Sequence, residues 1–199
     1  MALYTMPCVL FAGGKSSRMG KDKSFLPFAD APSLVQYQYK RLKELFSRVY
    51  LSAKDEGKFN GLNAVIIEDL LYKDIAAPTV GLINTFKELK EDNSFFVLSV
   101  DTPFVDDSIF NRLLVEADST NYDAYIVRTA SGIHPLCGIY TRPLEEPLKA
   151  MASKGKHRLT RLLENSNVLY IDVEDEKLLS NLNTPAEYEK ALTLLKKKT

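Results

Sequence analysis

The stretch that most limits what this chain can become is Met6 to Lys23, MPCVLFAGGKSSRMGKDK. Val9, Leu10, Phe11 and Ala12 form an uninterrupted apolar run, the pattern of a strand buried on both faces of a parallel sheet. Gly13 and Gly14 end the run, and Lys15, Arg18, Lys21 and Lys23 crowd the residues that follow, against the single acid Asp22. Two glycines at a strand end let the backbone turn sharply and aim successive N–H groups at one point. Cationic side chains reaching the same point complete a cradle for polyphosphate. A surface turn with solvated lysines has the same composition, so the segment alone leaves both readings open.

Two familiar glycine loops are excluded by spacing. A dinucleotide fingerprint requires G-x-G-x-x-G, whereas Gly13 and Gly14 are adjacent and the next glycine is Gly20. A P-loop requires G-x-x-x-x-G-K-[ST]; here the interval from Gly14 to Gly20 is one residue too long, and Asp22 stands where a hydroxyl residue holds the metal.

With 26 Lys+Arg against 26 Asp+Glu, the chain has no global positive field of the kind nucleic-acid binders use, and its local basic character fits an anionic small molecule. Cys8 and Cys137 are the only cysteines in the 199 residues, too few for a disulfide framework or a thiolate metal cluster, which predicts a reducing, cytoplasmic setting. The first residues lack a basic-then-apolar leader pattern, and no apolar run approaches the ~18 residues of a membrane span, so neither secretion nor membrane insertion is expected.

Along the chain, strands alternate with helices. Ser33 and Gln36 have capping-box spacing and predict a helix to about Phe46, with Leu34, Val35, Gln38, Leu42, Leu45 and Phe46 at mostly helical spacing. Arg48–Ala53 and Ala64–Ile67 read as strands, Val80–Lys90 as a helix, and Phe95–Val100 as a second strongly apolar strand that runs straight into Asp101-Thr102-Pro103. Helices are expected over Asp106–Glu116, Pro143–Ser153 and Arg158–Glu164, and strands over Tyr122–Arg128, His134–Thr141 and Val168–Val173. Thr184-Pro185-Ala186-Glu187 places an N-cap, a first-turn proline and a capping glutamate at the start of a closing helix. This order predicts one α/β domain over residues 1–199: a Rossmann-like open, mainly parallel sheet with helices on both faces.

Such sheets bind ligands beyond the carboxyl ends of their strands, where the strand order reverses. If the first strand and Phe95–Val100 are neighbours, Asp101 faces the Gly13–Lys23 loop across a crevice. A carboxylate there repels a polyphosphate unless a cation sits between them, and Mg²⁺ held by one carboxylate and phosphate oxygens answers that need. The alternative is that Asp101 caps the helix after Pro103, or that Asp106 caps it and Asp101 only makes a turn.

FAGGKSSRMGKDK resembles the L-A-G-G-x-S-x-R-M-G-x-D-K signature of molybdenum cofactor guanylyltransferases, within the nucleotidyltransferase group of sugar-nucleotide pyrophosphorylase-like enzymes. Further similarities follow in the family's order: Ile67-Glu68-Asp69, Ala77-Pro78-Thr79-Val80-Gly81, Asp101-Thr102-Pro103, His134-Pro135-Leu136, Gly155 to Leu159, and Asn181 to Pro185. Phe11 replaces the usual leucine, Ala77 the first glycine of the G-P loop, and Ser52 an asparagine that contacts nucleotide in some members. The resemblance implies GMP transfer from GTP to the terminal phosphate of molybdopterin, with Mg²⁺ as cofactor and transient contact with cofactor-supplying or molybdoenzyme partners. It implies catalytic roles for Lys23, Arg18 and Asp101, with Asp101 on the metal. Phe11, Ala12, Gly13, Gly14, Lys23, Ser52, Asp69, Gly81 and Asp101 would bind nucleotide, and Thr102, His134, Asn183 and Arg158 would lie on the pterin side. Other readings stay open: a cytidylyltransferase for the same pterin, a sugar- or polyol-phosphate nucleotidylyltransferase, or a non-catalytic module that delivers nucleotide or cofactor. A second basic patch, Lys154, Lys156, His157, Arg158 and Arg161, is either a pterin-phosphate site or a solvated surface.

Overall fold

A computed structural model describes residues 3–14, 19–54, 56–59, 61–69, 75 and 77–196. Among the described residues, seven strands form one sheet: β1 (Cys8–Phe11), β2 (Val49–Ala53), β3 (Val65–Glu68), β4 (Ser94–Ser99), β5 (Ala124–Thr129), β6 (Gly132–Thr141) and β7 (Val168–Asp172). Their order across the sheet is β3-β2-β1-β4-β6-β5-β7. All pairings are parallel except those of β6, which runs antiparallel to β4 and β5. The α-helices among the described residues cover the sheet: α1 (Leu34–Leu45), α2 (Pro78–Glu88), α3 (Asp107–Ser119), α4 (Glu145–Ser153), α5 (Leu159–Leu163) and α6 (Pro185–Lys196).

The alternation of side chains along each strand divides the core into two layers. Cys8 and Leu10 of β1, with Phe96 and Leu98 of β4, pack beneath α1 and α3, whose Leu34, Leu42, Ile109 and Phe110 are buried there. Val9, Phe11, Phe95 and Val97 point the other way, onto Leu82 and Phe86 of α2 and Leu148 of α4. Both faces of β1 and β4 are therefore covered, which is why these strands are apolar at consecutive positions. Gly138 of β6 lies where β5 and β6 shift register; a Cβ there would stand 2.3 Å from the Tyr125 carbonyl oxygen.

Local signals set most boundaries. Ser33 caps α1 by accepting from the Gln36 N–H at 3.3 Å, but Gln36 Oε1 is buried with no partner among the described residues, so the reciprocal half of the expected capping box is not made. At α6 the box is complete: the Glu187 N–H donates to Thr184 Oγ1 at 3.3 Å, and Glu187 Oε2 accepts from the N–H groups of Asn183 and Thr184 at 2.8 Å each.

The chain reverses its strand order at β1, with β2 on one side and β4 on the other. Phe11 pairs with Ser99, so both strands release their loops at the same edge.

Candidate active site

The Gly13–Lys23 loop leaves β1 and the Asp101 turn leaves β4, and the two meet at the switch point. The Val100 N–H donates to the Phe11 carbonyl at 3.0 Å, which ties the two strand ends together. Between them opens a cleft of about 350 Å³, lined by Phe11, Gly13, Gly14, Lys23, Ser52, Asp69, Gly81 and Asp101 among others. Eight of the residues expected to bind nucleotide thus surround one cavity. Ala12, also expected there, is buried in β1's continuation, with its N–H bonded to the Ser52 carbonyl at 3.0 Å. Arg18 lies outside the described residues.

Asp101 is only 9% exposed. Its Oδ1 accepts from Ser99 Oγ, and its Oδ2 is in direct contact with the Lys23 ammonium. Lys23 Nζ also donates to Asn183 Oδ1 at 2.8 Å. Asp106, not Asp101, caps α3, its Oδ1 accepting from the N–H groups of Ser108 at 3.2 Å and Ile109 at 3.3 Å. Asp101 lies in the turn that follows β4, and it also lines the cleft.

On the far side of the cleft, Asp69 follows β3, its N–H bonded to the Ala53 carbonyl at 2.9 Å. Burial pushes its carboxyl up to about 6; Lys54 opposes the shift and Glu68 adds to it. Asp69 Oδ1 is buried and has no hydrogen-bond partner among the described residues. An acceptor left unsatisfied at a cavity wall is suited to a ligand's donor. Gly81 lies in the second turn of α2 against Phe11 and Ser52, where an added Cβ would be 2.6 Å from Phe11 Cε1 and 2.7 Å from Ser52 Oγ. Glycine is what lets α2 approach the cleft so closely.

Lys58 belongs to the same assembly, and its sequence context does not reveal it. It sits in a 3₁₀ turn (Glu56–Phe59) after β2. Its Nζ donates to the Ala12 carbonyl at 2.6 Å and pairs with Asp22 Oδ2 at 2.9 Å. Burial raises the Asp22 pKa, but the Lys58 and Ser24 hydrogen bonds outweigh it and hold the carboxyl below its usual value. The other Asp22 oxygen accepts from the Ser24 N–H at 3.0 Å, capping the 3₁₀ turn (Lys23–Phe25) that carries Lys23. Lys58 therefore joins the start of the glycine loop to its end.

The residues expected on the pterin side are distributed. Asn183 reaches Lys23. Thr102 is buried, its Oγ1 donating to the Ser99 carbonyl at 2.9 Å. His134 pairs through Nε2 with Thr129 Oγ1 at 3.0 Å; burial lowers its pKa, with Glu176 opposing. Arg158 borders a separate recess of about 490 Å³ with Lys154, Lys156, His157 and Arg161, floored by Met151 and Leu162. His157 Nδ1 lies 2.7 Å from Thr79 Oγ1 in the first turn of α2, so this patch is connected to the helix that walls the main cleft.

The donor set fits a hard divalent cation shared with a substrate. No group of three or more His, Cys, Asp or Glu that could enclose a metal occurs among the described residues. One buried carboxylate facing a glycine loop across a cleft leaves the other coordination positions to phosphate oxygens and water, the arrangement hard oxygen-seeking cations accept in phosphoryl-transfer sites. No helix among the described residues is long and apolar enough to cross a membrane.

Comparison with known proteins agrees with this geometry. Residues 8–169 match the model of the MobA-like NTP transferase domain. A molybdenum cofactor guanylyltransferase from Campylobacter jejuni (strain RM1221) is 35% identical over 197 residues, covering 98% of this chain and 100% of the relative. One from Helicobacter pylori (strain J99 / ATCC 700824) is 31% identical over 199 residues, covering 98% and 91%. The crystal structure of molybdopterin-guanine dinucleotide biosynthesis protein A from Archaeoglobus fulgidus superposes with a TM-score of 0.83 at 22% identity, over 96% of this chain and 100% of that one, a likeness of fold. The loop, the cleft and the full-length relatives lead to one assignment: the chain belongs to the MobA-like NTP transferase family, as a nucleotidyltransferase of the molybdenum cofactor guanylyltransferase kind.

Proposed function

We propose that this protein transfers GMP from GTP to the terminal phosphate of molybdenum-bearing molybdopterin, releasing pyrophosphate, with Mg²⁺ at Asp101. The observation that carries the reading is the meeting of the glycine loop and Asp101 in one cleft at the strand-order switch. The names of the full-length relatives supply the substrates.

In this reaction an oxygen of the pterin phosphate attacks the α-phosphorus of GTP. The new P–O bond forms as the α–β bridging bond breaks, and its electrons leave on pyrophosphate. Both reactants are anions, so the work of the chain is alignment and neutralisation. The N–H groups of Gly13 and Gly14, with Arg18 and Lys23, hold the triphosphate; Arg18 offers a planar fork and Lys23 a compact charge. Lys23 pairs with Asp101 in the free protein, and turning toward the phosphates frees that carboxylate for the cation. When bound, Mg²⁺ neutralises charge between the reacting phosphates. No general base is needed, because a phosphate monoester is already anionic near neutral pH.

Asp69 takes the base side. Guanine presents two adjacent N–H donors on its pairing edge, a match for a carboxylate with an unsatisfied oxygen, whereas cytosine presents a single amino donor. Phe11, Ala12, Ser52 and Gly81 shape the wall behind it. On the acceptor's side we place Asn183, Thr102, His134 and Arg158; Asn183 has the most direct support through its bond to Lys23. Transient contact with proteins that supply or receive the cofactor accompanies this role. Two free, buried cysteines agree with a reducing cytoplasm.

The test is pyrophosphate release with each of four nucleoside triphosphates, with and without Mg²⁺ and the pterin acceptor. The reading expects turnover with GTP only when acceptor and Mg²⁺ are both present. Preference for CTP would make it the sister cytidylyltransferase, and nucleotide binding without turnover would make it a delivery module.

A further inference from the structure

Gln38 occupies an inward position of α1 and is 0% exposed, an unusual place for an amide among Leu34, Leu42 and Leu45. A buried amide is costly unless its hydrogen bonds are made, so its partners explain why it is there. Gln38 Nε2 donates to the Thr102 carbonyl at 3.1 Å and, more weakly, to the Val100 carbonyl at 3.4 Å. These carbonyls flank Asp101. Arg41, one turn on and on the same face, donates through Nη1 to the carbonyls of Pro103, at 3.2 Å, and Val105. Its Nη2 donates to Gln38 Oε1 at 2.8 Å, which fixes which way the amide faces. The guanidinium is packed over the rings of Tyr37 and Phe110, 5.9 and 5.7 Å from their centroids.

A further carbonyl of this turn, that of Asp101, accepts from the Leu182 N–H at 2.9 Å, in the segment that also carries Asn183. The carbonyls of Val100, Asp101, Thr102, Pro103 and Val105 are all held from outside their own loop, four of them by two side chains of α1. A turn that satisfied these groups with water would not require a buried amide and a guanidinium brought in from another helix. Neither side chain lines the cleft.

We infer that Gln38 and Arg41 are positioning residues that fix the backbone of the Asp101 turn, so that the carboxylate meets a divalent cation without first having to be ordered. This rests on the metal reading of Asp101. Outer partners of metal ligands commonly set metal affinity by roughly 10- to 100-fold, and the same scale is expected here.

The experiment measures GTP binding by calorimetry without pterin acceptor, so that no turnover occurs, at saturating Mg²⁺ and again in a chelator. The ratio of the two affinities reports the coupling between metal and nucleotide. Gln38→Met, which keeps the volume and removes both donors, and Arg41→Lys, which keeps the charge and loses the fork, should each lower that ratio by about tenfold. Metal-free GTP affinity should stay at the wild-type value. Leu45→Ala loosens the same helix without touching a loop bond and should lower the melting temperature while leaving the ratio intact. Asp101→Asn separates the two claims. If it keeps the wild-type ratio, the metal reading fails and takes this inference with it. If it loses the coupling while folded Gln38→Met and Arg41→Lys keep it, the bracing inference alone is wrong; Arg41→Lys decides the matter if Gln38→Met does not fold.

Discussion

Gly81→Ala probes how tightly α2 is pressed against the wall of the cleft. The new methyl would stand 2.6 Å from Phe11 Cε1, 2.7 Å from Ser52 Oγ and 3.2 Å from Phe11 Cζ. Two opposed effects set the size of the response. Alanine inside a helix gains ~1 kcal/mol over glycine. Overpacking a tight contact costs ~1–3 kcal/mol. If the Phe11 ring stays in place, the fold bears the difference, between about zero and ~2 kcal/mol, or a fall in melting temperature of up to roughly 8 °C for a chain of this size. If the ring swings into the cleft, the fold keeps the helical gain, and GTP must push the ring back on binding. The same ~1–3 kcal/mol then appears as a roughly 5- to 150-fold weaker Kd. Thermal unfolding and GTP titration of one preparation measure both terms, and the strain should be found in one or shared between them. A variant that keeps the full helical gain, melting roughly 2–4 °C above wild type, and binds GTP like wild type would refute the close-approach argument for this glycine.

Two further outcomes follow from the cleft's electrostatics. Lys58→Met removes the bond from the glycine loop's end to its start; stability should fall by no more than ~1 kcal/mol, as for a partly exposed ion pair, while kcat/KM for GTP falls roughly 10- to 100-fold through misplacement of Lys23. Unchanged GTP kinetics in that variant would remove Lys58 from the loop's support. Asp69, held at about 6 by burial against 3.8 for the free side chain, binds its proton more tightly folded than unfolded. The stability contributed by its neutral form is therefore complete below about pH 4 and lost as pH rises through 6. Asp69→Asn should flatten that part of the melting-temperature profile and abolish the weakening of GTP binding expected below pH 6; parallel wild-type and variant profiles would contradict the assignment.

Much of this architecture can be read from local pattern. β1 and β4 are covered on both faces, so their apolar runs stand out, and the glycines and Asp101 mark where they stop. The capping residues Ser33, Asp106 and Thr184 announce their helices because each bonds within four residues of itself. What sequence does not disclose depends on distant partners. Gln38 looks like an ordinary break in an apolar stripe until the Val100 and Thr102 carbonyls are seen above it. Lys58 looks like any lysine in a polar loop until Asp22 and Ala12 close around it. The antiparallel course of β6 leaves no mark on its composition, since strand direction is decided by the neighbours it pairs with. Arg158 and Asn183 belong to motifs of similar promise, yet only Asn183 reaches the cleft's lysine.

The most direct measurement of the central claim is the rate of pyrophosphate release from GTP by a folded Asp101→Ala variant at saturating Mg²⁺ and pterin acceptor. A carboxylate that shares a cation with the reacting phosphates should cost about 4 kcal/mol of transition-state stabilisation when removed, a thousandfold in rate, with far-ultraviolet circular dichroism unchanged. A folded variant that turns over GTP within a few-fold of wild type would contradict the account.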